Sequence, residues 1–133
     1  MSQISTLRTD HAPAAVGPYA QGVRLGDLVF CSGQLPIDPV TGEIPADVEA
    51  QTRQSLSNVA AVLAAGGAGL ASVVKTTVFL KDMNQFAAMN AVYQQCFGDT
   101  VPARSTIEVA RLPRDVLVEV EAIAAVLPRE TQP

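Results

Sequence analysis

Apolar residues recur along the chain with two different periods, and the switches between them mark out the elements. Gly22-Val23-Arg24-Leu25-Gly26-Asp27-Leu28-Val29-Phe30-Cys31-Ser32-Gly33 is rich in apolar residues around a central Gly26-Asp27 pair, which predicts two strands folded into a hairpin. Pro39 and Gly42, within Ile37–Ile44, stand where a tight turn uses a fixed or positive φ, so this stretch reads as a surface loop. Beyond Asp47 the period lengthens: Leu56, Val59, Ala60 and Leu63 repeat with helical spacing until Gly66-Gly67 stops them. Asp47 is a good N-cap and Glu49 suits the positive end of the helix dipole, predicting an amphipathic helix of about five turns.

Val73-Val74-Lys75-Thr76-Thr77-Val78-Phe79-Leu80 reads as a β-branched strand covered on at least one face. Asp82 and Gln85 have the spacing of a capping box, opening a second helix whose face carries Phe86, Met89, Asn90 and Tyr93. The loop 97–102 leads into Ala103-Arg104-Ser105-Thr106-Ile107-Glu108, and Leu117-Val118-Glu119-Val120-Glu121-Ala122 is the last strand. The order strand, strand, helix, strand, helix, strand, strand predicts an α+β domain, with two helices packed on one face of a mixed sheet. Apolar residues remain for the opposite face, which a small domain buries against copies of itself in a closed oligomer.

The 133 residues, 48% of them hydrophobic, suffice for one packed core, so the expectation is a single domain over 1–133. A formal net charge of -4 with scattered basic residues argues against a nucleic-acid partner. No stretch approaches the roughly 20 apolar residues that cross a bilayer, and the N-terminus lacks the pattern of a secretory signal, so the expected setting is cytoplasmic without a membrane partner. Cys31 and Cys96 form no CxxC pair and read as reduced thiols. One histidine, His11, and two distant cysteines supply no metal-ligand cluster, and no glycine-rich phosphate loop is present; no metal and no cofactor are expected.

Charged groups inside the last two strands stand out against this background. An ionised side chain buried without a partner is expensive, so Arg104 pairs with an acid, lies at a solvated edge, or waits for a ligand that completes it. Alternation puts Leu117, Glu119, Glu121 and Ile123 on one strand face, so at least one carboxylate stands near a cleft or in an ion pair. Asn90, polar on an apolar helix face, either satisfies a backbone group or lines a cleft.

Gly17-Pro18-Tyr19, Cys31-Ser32-Gly33-Gln34-Leu35-Pro36, Lys75–Leu80, and Pro102-Ala103-Arg104-Ser105 through Glu119-Val120-Glu121-Ala122 occur together in this order. On these segments the chain resembles the RidA/YjgF family of reactive-intermediate deaminases over nearly its full length. The resemblance implies a chorismate-mutase-like two-layer fold, assembled as a homotrimer with clefts between neighbouring subunits. It also implies hydrolysis of enamine and imine acids such as 2-aminoacrylate and 2-aminocrotonate to 2-keto acids and ammonia, a 2-iminobutanoate/2-iminopropanoate deaminase activity. Pyridoxal-phosphate-dependent dehydratases acting on serine or threonine release such intermediates.

By the same resemblance Arg104, Glu119 and Tyr19 carry catalysis, while Arg104, Ser32, Gly33, Asn90 and Thr106 bind substrate. The chemistry is consistent: every such substrate has a carboxylate that a guanidinium fork matches, and Gly33 allows close backbone approach. Many family members have Cys where this chain has Thr106, whose hydroxyl can hold a water but supplies no thiolate. The loop ending at Val101 is short for the family. A non-catalytic binder or sensor of small carboxylates stays open, as does an endoribonuclease, which the acidic charge and the single His11 disfavour.

Overall fold

The computed structural model describes residues 3–126, and the expected domain bounds 1–133 therefore include residues 1–2 and 127–133 outside the described part. Its elements are β1 (Ile4–Leu7), β2 (Gly22–Leu25), β3 (Leu28–Gln34), α1 (Val48–Ala65), β4 (Val73–Leu80), α2 (Phe86–Phe97), β5 (Ala103–Glu108) and β6 (Val118–Ala125). The strands form one mixed sheet in the order β1-β2-β3-β6-β4-β5, in which only the β4–β5 pair is parallel. A parallel pair needs a crossover, and α2 is that crossover. Both helices pack on the same sheet face, giving the expected two-layer α+β architecture.

Alternation sorts the strand residues as the sequence implies. Val118, Val120, Ala122 and Ala124 of β6 are buried beneath the helices with Val29, Val78 and Leu80, while Glu119, Glu121 and Ile123 look the other way. From above, Leu56, Val59, Val62 and Leu63 of α1 and Met89, Tyr93 and Phe97 of α2 close the core. Asp47 caps α1 through its Oδ1, which accepts from the Ala50 N–H at 2.7 Å. The β2–β3 hairpin turns at Gly26, whose φ of 58° lies in the left-handed region.

The buried face of α1 also carries a polar seam. Ser55 Oγ donates to the Gln34 carbonyl at 2.8 Å, and Asn58 Nδ2 donates to the carbonyls of Leu35 and Ile37, each at 2.9 Å. Gln51 accepts from the Leu117 N–H at 2.8 Å and donates to the Pro45 carbonyl at 2.8 Å. These side chains bond backbone groups near the points where β3 leaves the sheet and β6 enters it.

Two local expectations change. β1 is an additional strand: three of its four residues are exposed, so it carries almost no burial pattern, and only its pairing with β2 makes it a strand. The Asp82–Gln85 capping box does not form. Asp82 Oδ1 accepts from the Asn84 N–H at 2.9 Å and opens a single 3₁₀ turn, Met83–Gln85, and α2 starts one residue later at Phe86. The Gln85 side chain provides no cap, and its Oε1 is buried without a hydrogen-bond partner among the described residues.

The face away from the helices is open and carries apolar side chains beside the carboxylates of Glu119 and Glu121. Ile4, Leu25, Leu28, Phe30 and Ile107 are 75%, 40%, 39%, 38% and 45% exposed, and register places them on this one face.

Candidate active site

Arg104 lies on the edge strand β5, opposite Thr76 of β4 in the parallel register. Thr76 is fully buried beneath the helices, so its register partner Arg104 points to the same helix-covered face. The guanidinium meets α2 there. Nη1 donates to Asn90 Oδ1 at 2.7 Å, and the guanidinium carbon lies 4.7 Å from the centroid of the Tyr93 ring and 5.4 Å from that of Phe86.

Of the three fates open to Arg104, pairing with an acid is not realised. The one ion pair among the described residues joins the exposed Arg111 and Asp115. Neutral groups hold Arg104, so its charge is kept in place without being cancelled. Asn90 serves this arginine rather than a backbone group. A recess of about 330 Å³ opens at the guanidinium, lined by Asn90, Tyr93, Gln94, Val101, Pro102 and Arg104. Thr106, two residues along β5 on the same face, has a buried hydroxyl with no hydrogen-bond partner among the described residues.

Glu119 stands on the other face. Its neighbours Val118 and Val120 are buried under the helices, so alternation turns the carboxylate to the open side, where it is half-buried opposite Phe79. Burial raises its pKa above the ordinary carboxylate value, and the negative charge of Glu121 on the same face raises it further. No basic side chain pairs with it among the described residues. Gly33 lies directly beneath: the β3–β6 register shifts between Cys31 and Gln34, and a Cβ at Gly33 would stand 2.6 Å from Glu119 Oε2. A side chain at Gly33 would have to displace the carboxylate from its position at this bulge.

Ser32 ties the bulge to the Tyr19 segment. Its Oγ donates to the Ala20 carbonyl at 2.6 Å and its N–H to the Gln21 carbonyl at 2.9 Å. The hydroxyl is thus spent on the protein. Tyr19 follows a tight turn in which its N–H donates to the Gly17 carbonyl at 2.9 Å, and its ring, half exposed, lines an open cavity of about 470 Å³ formed by the N-terminal segment. Cys31, next to Ser32, is buried, and burial, with help from Glu121, pushes its thiol up to about 12.

Within one chain the expected residues thus fall into two groups. Arg104, Asn90 and Thr106 lie on the helix side of β5 and α2; Glu119 and Gly33 lie on the open side, with Ser32 linking them to Tyr19. The sheet separates the two. A residue absent from the sequence-based expectation, Tyr93, touches Arg104; at its helical spacing it read as core, and it is indeed 4% exposed.

Residues 9–126 match the model of the family described as Endoribonuclease L-PSP, the YjgF/RidA family. The chain belongs to the RidA/YjgF family. This RidA/YjgF chain is 57% identical over 122 residues to a 2-iminobutanoate/2-iminopropanoate deaminase of Escherichia coli K12, covering 90% of its own length and 95% of that protein. Among solved structures it is similar to the YjgF gene product of E. coli, with a TM-score of 0.88, 56% identity, and coverage of 91% of this chain and 98% of that one. E. coli TdcF with bound serine superposes with a TM-score of 0.88 at 52% identity, again covering 91% of this chain and 98% of that one.

Proposed function

We propose that this protein hydrolyses the 2-imino and 2-enamino acids of three and four carbons to 2-keto acids and ammonia. The observation that carries the reading is the Arg104 guanidinium, fixed by neutral partners at the mouth of a recess and still bearing an uncancelled charge. A carboxylate is its natural complement, since two parallel N–H donors match two oxygens. High identity to a 2-iminobutanoate/2-iminopropanoate deaminase supports the reaction class.

The chemistry needs a water made nucleophilic beside the imine carbon. Glu119, a carboxylate whose pKa is raised toward the working range, accepts a proton from that water as the oxygen adds to the carbon. The imine nitrogen takes up a proton as the oxygen adds, giving a carbinolamine. A second proton to the nitrogen and loss of the hydroxyl proton then break the C–N bond, releasing ammonia and leaving the keto acid. An enamino acid enters this path after tautomerising to the imine. Gly33 leaves the space that Glu119 occupies, Tyr19 closes the cleft, and Thr106 stands two residues along β5 on the face that carries Arg104. Neither a metal nor a cofactor enters the scheme.

Because Arg104 and Glu119 occupy opposite sheet faces, the working site requires two chains. A homotrimer, in which the apolar open faces pack around a threefold axis and bring Glu119 of one copy to Arg104 of the next, satisfies the site and covers Leu25, Leu28, Phe30 and Ile107 together. The test couples a threonine or serine dehydratase to a semicarbazide trap. With this protein present, keto acid is expected to form faster and the semicarbazone yield to drop, and native mass measurement is expected to give three chains.

One observation favours a second reading, binding without turnover: a similar structure holds serine, an amino acid with the same carboxylate. No acceleration on any three- or four-carbon imine, with retained affinity for 2-oxobutanoate, would establish it.

A further inference from the structure

We propose that Tyr93 is a positioning residue for Arg104, its ring serving as the platform that fixes the plane in which the guanidinium meets the substrate carboxylate. This rests on the reading of Arg104 as the carboxylate anchor and extends it to a residue that acts through that guanidinium.

A two-pronged hydrogen bond to a carboxylate works only when the fork is presented in the right plane, and arginine loses much rotamer freedom when it is held there. An acidic partner would supply the alignment but also cancel the charge. Three neutral contacts do the work here: the Asn90 amide oxygen at 2.7 Å, the Phe86 ring at 5.4 Å and the Tyr93 ring at 4.7 Å. Asn90 fixes one corner of the guanidinium, which leaves rotation about that point. A ring face removes it.

Of the two rings, Tyr93 is the immobile one. Phe86 is half-buried at the start of α2, whereas Tyr93 is buried and shares a 2.6 Å hydrogen bond between its phenol and the Thr76 hydroxyl. Thr76 is also the register partner of Arg104 across the β4–β5 ladder. The anchor of the phenol and the root of the arginine therefore sit at one register position on neighbouring strands, so the phenol end of the ring is tied to the same stretch of sheet that carries the guanidinium.

The experiment compares wild type with Tyr93→Leu, Tyr93→Phe, Phe97→Leu and Arg104→Ala, reading 2-oxobutanoate affinity by calorimetry and KM and kcat for imine hydrolysis. Tyr93→Leu is expected to weaken 2-oxobutanoate binding and raise KM about tenfold, with kcat within about threefold of wild type. Tyr93→Phe keeps the ring, and its binding is expected to recover to within about threefold. Phe97→Leu removes an equally buried aromatic that does not touch Arg104, and its KM is expected to stay near wild type. Wild-type affinity in Tyr93→Leu, or an equal rise of KM in Phe97→Leu, would overturn the proposal.

If Arg104→Ala loses binding while Tyr93→Leu keeps it, the platform alone is wrong. If Arg104→Ala binds as tightly as wild type, the anchor reading falls and the platform with it. Should no Tyr93 variant fold, the wild-type Arg104 Nε–Hε resonance decides: an upfield ring-current shift and an ordered heteronuclear NOE are expected, and the signal of a freely tumbling arginine would overturn the proposal.

Discussion

Arg104→Ala is expected to lower kcat/KM for imine hydrolysis on the order of 10²- to 10³-fold, the worth of two charge-assisted hydrogen bonds to one carboxylate. Most of the loss should lie in KM, because the carboxylate is held equally before and during the reaction. The fold should tolerate the change. Arg104 forms no ion pair among the described residues, and its loss leaves the half-buried Asn90 amide to find water, so the melting temperature should shift by a few degrees at most. Arg104→Lys restores charge without the planar fork and should recover little of the activity. Steady-state kinetics beside thermal melts check the prediction; unchanged KM in a folded Arg104→Ala protein would remove Arg104 from the site.

Glu119→Gln should show the opposite partition. The amide fills the same space over Gly33 but takes no proton from water, so kcat should fall about 10²- to 10⁴-fold while 2-oxobutanoate binds within a few-fold of wild type. The pH profile gives an independent reading. The reaction needs the ionised carboxylate, so the rate declines as pH drops through the Glu119 pKa, and that limb lies above the ordinary glutamate value because burial and Glu121 both raise it. Glu121→Gln removes the second cause and should move the limb to lower pH. A kcat limb unchanged in Glu119→Gln would assign the base elsewhere.

Most of the fold was legible because period and punctuation agreed. The Asp47 cap, the apolar stripe of α1 and the Gly26 turn each appear where the pattern put them. The strand β1 was not legible, since a four-residue edge with one buried side chain has no pattern to read. Nor was the role of Gln51, Ser55 and Asn58, whose polar side chains sit on the buried face of α1 to satisfy carbonyls and an N–H far along the chain. Helical spacing alone does not foresee such partners.

The site was legible to a similar depth. Arg104 and Glu119 announced themselves as charges in apolar strands, and alternation assigned Glu119 its face. That Arg104 takes the opposite face follows from the β4–β5 register, which no single strand encodes. Tyr93 escaped because burial and contact with a candidate binding cation leave the same trace in a sequence: an aromatic at core spacing.

The separation of Arg104 from Glu119 by the thickness of the sheet has a genetic corollary. In the trimer proposed above, each site draws its cation from one polypeptide and its base from another, so two inactive alleles are not equivalent failures. A cell expressing Arg104→Ala and Glu119→Gln chains in equal amounts would assemble mixed particles in which an intact Glu119 from the first meets an intact Arg104 from the second. With random association roughly a quarter of the interfaces are whole. In that trimer complementation between defective alleles is built into the topology, and a single polypeptide carries one half of each of two sites.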